Sequence, residues 1–195
     1  YPVDIEPIYT TEQEAVELLK NDSVRLAVTA RKFTEAEVSY FNSKTFQPEA
    51  VRIAIDGVAV ITNPANRDSV ISARDMKRIL TGEVTQWNQI FPGSKLGKIQ
   101  VVFDNTNSSI VRYANDSICR DIPLSKELNA LELNEEVVEH VAKVPSAMGL
   151  IGVNHISDEN DSTVIEFTKK IRVMRVSYED AANAENSVQP YQYYL

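Results

Sequence analysis

Few side chains in this chain are equipped for covalent chemistry. Its 195 residues include two histidines, His140 and His155, and one cysteine, Cys119. A nucleophilic site needs a base within hydrogen-bond reach of its nucleophile. His140 lies among Glu135, Glu136 and Glu139, the composition of a solvated helix face, and His155 follows the end of an apolar run. Neither has a second His or Cys at metal-ligand spacing. Cys119, between Ile118 and Arg120, reads as a small buried side chain. Carboxylate pairs such as Glu135 and Glu136 sit on one polar face, where no acid–base couple can be argued. Neither common type of Gly-rich nucleotide loop is present. We therefore expect no enzymatic activity, no cofactor and no metal.

Noncovalent recognition is left. Three polar segments fall where a strand-like run gives way to a helix-like one: Thr10–Thr11, Thr29–Ala30–Arg31 and Asn107–Ser108–Ser109. A helix start presents unpaired N–H groups and the positive end of the peptide dipoles, which together favour anions. In an open α/β sheet such places lie at the carboxyl ends of strands, where ligands bind. Thr10, Thr11, Thr29, Arg31, Asn107, Ser108 and Ser109 are thus candidate ligand-binding residues, although each segment also fits ordinary helix capping. With 28 acidic against 20 basic residues the formal charge is −8, so nucleic acid is not an expected partner. An anion would be held by local dipoles rather than by net charge.

The elements that must position these segments alternate. Strand-like runs cover residues 3–9, 24–29, 52–62, 99–103, 147–153, 163–167 and 171–176. Helix-like stretches run from a Thr10–Thr11 cap to 21, over 34–40, from Ser72 to 80, over 110–119, and from an Asn134 cap to 144. Thr11 with Glu14 and Thr34 with Glu37 have capping-box spacing. Gly82 stops the third helix, and Trp87, Ile90 and Phe91 should pack beneath it. This order implies an α/β protein with largely parallel sheets.

Five stretches carry a resemblance to a known family. Ile53–Pro64 (IAIDGVAVITNP) is similar to the strand motif of the binding proteins of phosphate importers, and Met76–Trp87 (MKRILTGEVTQW) to that family's helix with its Thr-Gly and Trp. Residues 99–109 resemble the next strand and its serine-rich turn, 138–152 the later helix and strand, and 24–34 an early Ser-Arg segment. The chain is identified as a member of this family, the substrate-binding proteins of phosphate ABC transporters.

The resemblance implies a two-lobed α/β fold of periplasmic-binding-protein type II, with strands crossing between lobes and the ligand in an interlobe cleft. Lobe one would comprise residues 1–57 plus 177–195 and lobe two 58–176. An opening Ser/Thr-rich turn and a closing segment have no counterpart here, so the chain is expected to be shorter than the family at both ends. The expected function is extracytoplasmic capture of a small anion such as phosphate for a membrane ABC importer permease, in the periplasm or at the cell envelope, a lipoprotein form included. Asp104 joins the candidate set because it stands where the family has an anion-pairing arginine. Ala30 and Ile110 replace hydroxyl residues of the pattern. A buried carboxylate disfavours a dianion, so weak phosphate binding is expected. A scaffold that has lost capture and serves protein interaction or signalling at the envelope is the alternative.

Overall fold

The computed structural model describes residues 4–44, 47–120, 122–157 and 162–190. Packing divides the chain into two compact units, Tyr1–Ala54 with Asn107–Ser109, and Ile55–Thr106 with Ile110–Leu195.

In the first unit, Thr11 caps α1 (Glu12–Lys20) by accepting the Glu14 amide at 3.3 Å, and the helix buries Val16 and Leu19. The box expected at Thr11 forms by half, because the Glu14 carboxylate takes the Thr10 hydroxyl instead. The box that opens α2 (Glu35–Asn42) is complete: the Thr34 N–H donates to Glu37 at 2.7 Å, and the Glu37 N–H donates back to the Thr34 hydroxyl. Phe41 on α2 is buried against Phe33, ring centroids 5.1 Å apart. The Tyr40 hydroxyl ties the two helices by donating to the Lys20 carbonyl at 3.2 Å.

The strands expected at 3–9 and 24–29 are corrected. Val3 lies outside the described residues; the rest of both runs forms no sheet pairing. Ile5 is 75% exposed and Leu26 73%. Alternating apolar residues give a segment the propensity for a strand, but a strand also needs a neighbour to pair its backbone and cover its face.

The second unit holds β1 (Val58–Thr62), β2 (Val70–Ser72), α3 (Ala73–Leu80) and β3 (Gln100–Phe103). The chain continues through α4 (Ser109–Tyr113), which runs on as a π-helical turn over Ala114–Cys119, then β4 (Asn129–Ala130), α5 (Asn134–Lys143) and β5 (Ala147–Gly152). It closes with α6 (Asn154–Ser157), α7 (Ser162–Lys170), β6 (Arg172–Val173), β7 (Arg175–Ser177) and β8 (Ser187–Val188). One sheet has the order β4-β3-β5-β1-β6 and the other β2-β7-β8. The expected 52–62 strand begins only at Val58, and residues 51–56 before it are exposed. The run expected as a strand at 163–167 belongs to α7: Val164 and Phe167 are buried, and their spacing of three is that of a helix face. Asn134 is the first helical residue of α5 rather than its cap; the Glu136 carboxylate accepts the Leu133 N–H at 3.2 Å.

Sheet direction is also corrected, since both sheets are mixed. β3 is parallel to β4 and β5, whereas β1 is antiparallel to β5 and β6. An unbroken apolar run fits a strand covered on both faces whichever way it points, so such runs did not encode direction. β5 is buried at every position.

The five-stranded sheet separates two cores. On one face Val60, Val101, Phe103, Met148 and Leu150 meet Met76, Ile79 and Leu80 of α3 together with Trp87. On the other, Ala59, Ile61, Val102 and Ile151 meet Val137, Val138 and Val141 of α5 and Phe167 of α7. Trp87 is fully buried, donates Nε1–H to the Ser146 carbonyl at 2.9 Å and stacks on Phe91 at 6.0 Å. This is the packing expected of the aromatic loop. Gly82 adopts φ +81° just past α3, the left-handed stop that glycine permits. At Gly149 the two layers approach so closely that a Cβ would lie 2.7 Å from Ile61 and 2.9 Å from Val137.

Candidate functional site

Strand β3 delivers its chain into the polar turn. Its last residues, Val102 and Phe103, are buried, and the next, Asp104, is still only 8% exposed. Residues 105–107 are exposed, Ser108 is again 8% exposed, and α4 begins at Ser109 with Ile110 buried behind it. Asn107, Ser108 and Ser109 pack within the first unit, as do Thr10, Thr11, Thr29 and Arg31. Seven of the eight candidate residues share that unit; Asp104 belongs to the larger one.

Within the first unit the candidate donors have definite partners. Thr11 spends its hydroxyl oxygen on the α1 cap, and Thr10 donates to Glu14. The Thr29 hydroxyl donates to the Arg31 carbonyl at 2.9 Å. The Ala30 N–H donates to Oε1 of Glu12 at 2.6 Å, joining the 29–31 segment to the first turn of α1. The Arg31 guanidinium engages both oxygens of Glu37, at 2.7 and 2.8 Å, and gives a further bond to the Lys32 carbonyl. Such forked pairs are the strong form of the charged hydrogen bond. The Arg31 fork holds the Glu37 carboxyl down at about 2, against a burial effect that pushes it up and with the Thr34 N–H helping. Glu37 is ionised throughout the physiological range, and Arg31 is committed to it.

Glu12 and Glu37 are the residues that sequence reasoning missed as site members. Glu37 had a signal, the three-residue spacing to Thr34, but only as a cap. Glu12 had none, because its partner Ala30 is 18 residues away in the chain.

The groups considered for chemistry lie elsewhere. Cys119 is fully buried, and burial pushes its thiol above the ordinary value, the environment of an inert cysteine. His140 is half-buried with Nε2 enclosed by the fold, rather than solvated as its acidic neighbours implied. Among the described residues no group of three His, Cys, Asp or Glu could hold a metal ion, and no helix is long and apolar enough to cross a membrane.

Comparison with known proteins agrees with this architecture. The phosphate-binding protein PstS of Borreliella burgdorferi is 26% identical over 149 residues, covering 70% of this chain and 49% of its own length. The chain thus spans about half of that relative. An ABC-type phosphate transport receptor from Vibrio cholerae superposes with a TM-score of 0.61 at 21% identity, over 85% of this chain and 62% of the receptor. The PstS structure from Borrelia burgdorferi gives 0.56 at 21% identity, over 83% and 60%. Likeness at that identity establishes a shared fold, the α/β fold of phosphate-binding proteins. A family model described as a PBP superfamily domain matches residues 1–195, and the chain belongs to that superfamily.

Proposed function

We propose that the chain is the solute-capturing part of an extracytoplasmic binding protein that serves a membrane ABC importer and performs no chemistry of its own. The solute is a small oxyanion, held by hydroxyls and amides of Ser108, Ser109, Asn107, Thr10, Thr11 and the 29–31 segment. The protein works in the periplasm or at the cell envelope, free or as a lipoprotein. One observation carries the reading: three polar segments far apart in sequence, those at 10–11 and 107–109 at helix starts, belong to one packed unit. Backbone N–H groups and hydroxyls so grouped suit an oxyanion even on an acidic protein. Asp104, buried at the end of β3, limits affinity, because an ionised carboxylate in a poorly solvated place opposes a dianion.

Calorimetric titration with inorganic phosphate at neutral pH tests this, on the unaltered chain and on Asp104→Asn. Weak binding that tightens about ten-fold in the variant is expected. Sub-micromolar binding by the unaltered chain would contradict the role given to Asp104.

A second reading, a binding-protein scaffold turned to protein interaction or signalling at the envelope, is favoured by a specific observation. Arg31 and the Ala30 amide are taken by the chain's own carboxylates. Absence of heat from both proteins would favour this alternative.

A further inference from the structure

Among the contacts of the first unit, the one between Glu12 and Ala30 both joins a candidate binding segment to α1 and closes off one of that segment's donors. The Arg31–Glu37 fork also closes the cap of α2, so its carboxylate is needed for the fold. Thr11 caps α1, and Val16 and Leu19 anchor that helix. Glu12 does neither. It reaches instead from the first turn of α1 to the backbone amide in the middle of a candidate binding segment.

The consequence is competition. A backbone N–H makes one good hydrogen bond at a time, and a carboxylate acceptor at 2.6 Å is a strong one. An oxyanion arriving at Ala30 must displace that carboxylate and then sit beside its charge. Both effects act against a solute with formal negative charge. Only the second depends on the solute's charge, so an uncharged polar solute that accepts from Ala30 meets the displacement without the repulsion. Chemically, Glu12 stands where the oxygen of a bound oxyanion would stand.

We propose that Glu12 is a specificity-determining residue: its carboxylate occupies the Ala30 amide as an internal stand-in for the ligand and keeps the affinity for phosphate and similar oxyanions low. This rests on the solute-capture reading above. It adds a reason for weak binding that is separate from Asp104 and lies on a different element.

The test uses inorganic phosphate as the probe and compares the full chain with Glu12→Gln and Glu12→Ala. Affinity comes from calorimetry, and the Ala30 amide is followed by ¹⁵N–¹H NMR. Glu12→Gln keeps an acceptor of the same shape without the charge, and Glu12→Ala opens the donor. Phosphate should bind Glu12→Ala about ten-fold more tightly than the unaltered chain, with Glu12→Gln between them. The Ala30 resonance should move with added phosphate in the variants and hardly at all in the unaltered chain. A merely structural role for Glu12 would not produce that difference. Equal, measurable affinity in all three proteins would overturn the role of Glu12 and leave solute capture standing. Failure of all three to bind phosphate would overturn the capture reading and the inference with it.

Discussion

The two units of this chain started from similar sequence signals and ended differently. Residues 147–152 and 24–29 are both short runs rich in aliphatic residues. The first became β5, buried at every position between two cores; in the second, Leu26 and Val28 are 73% and 66% exposed. β5 has β3 and β1 on either side and helices on both faces. The 24–29 run has α1 and α2 as companions but no strand to pair with among the described residues. Apolar patterning states which surface a segment is able to bury. Whether it does so depends on neighbours, which the pattern does not supply. The first unit compensates with polar contacts, namely caps, the Arg31–Glu37 fork and the Glu12–Ala30 bond.

If this contrast is right, the largest mutational effects belong to the second unit. Trp87→Ala should cost about 3–5 kcal/mol, since it empties a fully enclosed site and removes one of the donors to the Ser146 carbonyl. Denaturant midpoints measure this, and a loss below about 1 kcal/mol would mean the aromatic loop is not part of the core. Gly149→Ala comes next, at about 1–3 kcal/mol, because the added methyl meets Ile61 and Val137. A neutral outcome would show that α5 has room to lift from the sheet.

The first unit should respond to pH. The Glu37 carboxyl is depressed in the folded chain to about 2, from about 4.3 when unfolded. A depressed carboxyl contributes stability that is fully present above the unfolded value and lost as pH falls through the folded one. The contribution should therefore fade between about pH 4.5 and pH 2. It should be about 1 kcal/mol or less, as for ion pairs near a surface. Amide exchange in α2 across that window measures it, and Glu37→Gln should flatten the dependence. An undiminished pH dependence in Glu37→Gln would place its source elsewhere. The smallest effect is expected at Ile53, which is 74% exposed. Ile53→Ser should change stability by less than about 0.5 kcal/mol. A loss comparable to that of a core residue would erase the contrast between the units.

The second unit was the more legible one. The end of α3 at Gly82, the strand at 99–103 and the aromatic loop all follow from short-range spacing, and the structure holds them. Caps at Thr11, Thr34 and Ser72 were legible for the same reason, as each acts over three residues. Strand direction was not, because a fully buried run reads the same both ways. The 163–167 run was misread because Val164, Ile165 and Phe167 satisfy a strand's composition while their burial follows a helix. In the candidate site, the donors at 10–11 and 107–109 were legible as helix starts, whereas residues 29–31 lie at neither a helix start nor a strand end. The donors' occupants were not legible, since Glu12 and Ala30 meet only once the chain is folded.

The central claim, that this superfamily member takes a small oxyanion on its first unit, is tested most directly by NMR titration of the unaltered ¹⁵N-labelled chain with inorganic phosphate. Saturable shifts should concentrate on the amides of Asn107, Ser108 and Ser109, rise only at high phosphate, and spare the core amides of β1 and β5. Shifts absent from residues 107–109, or confined to residues of the second unit, would contradict it.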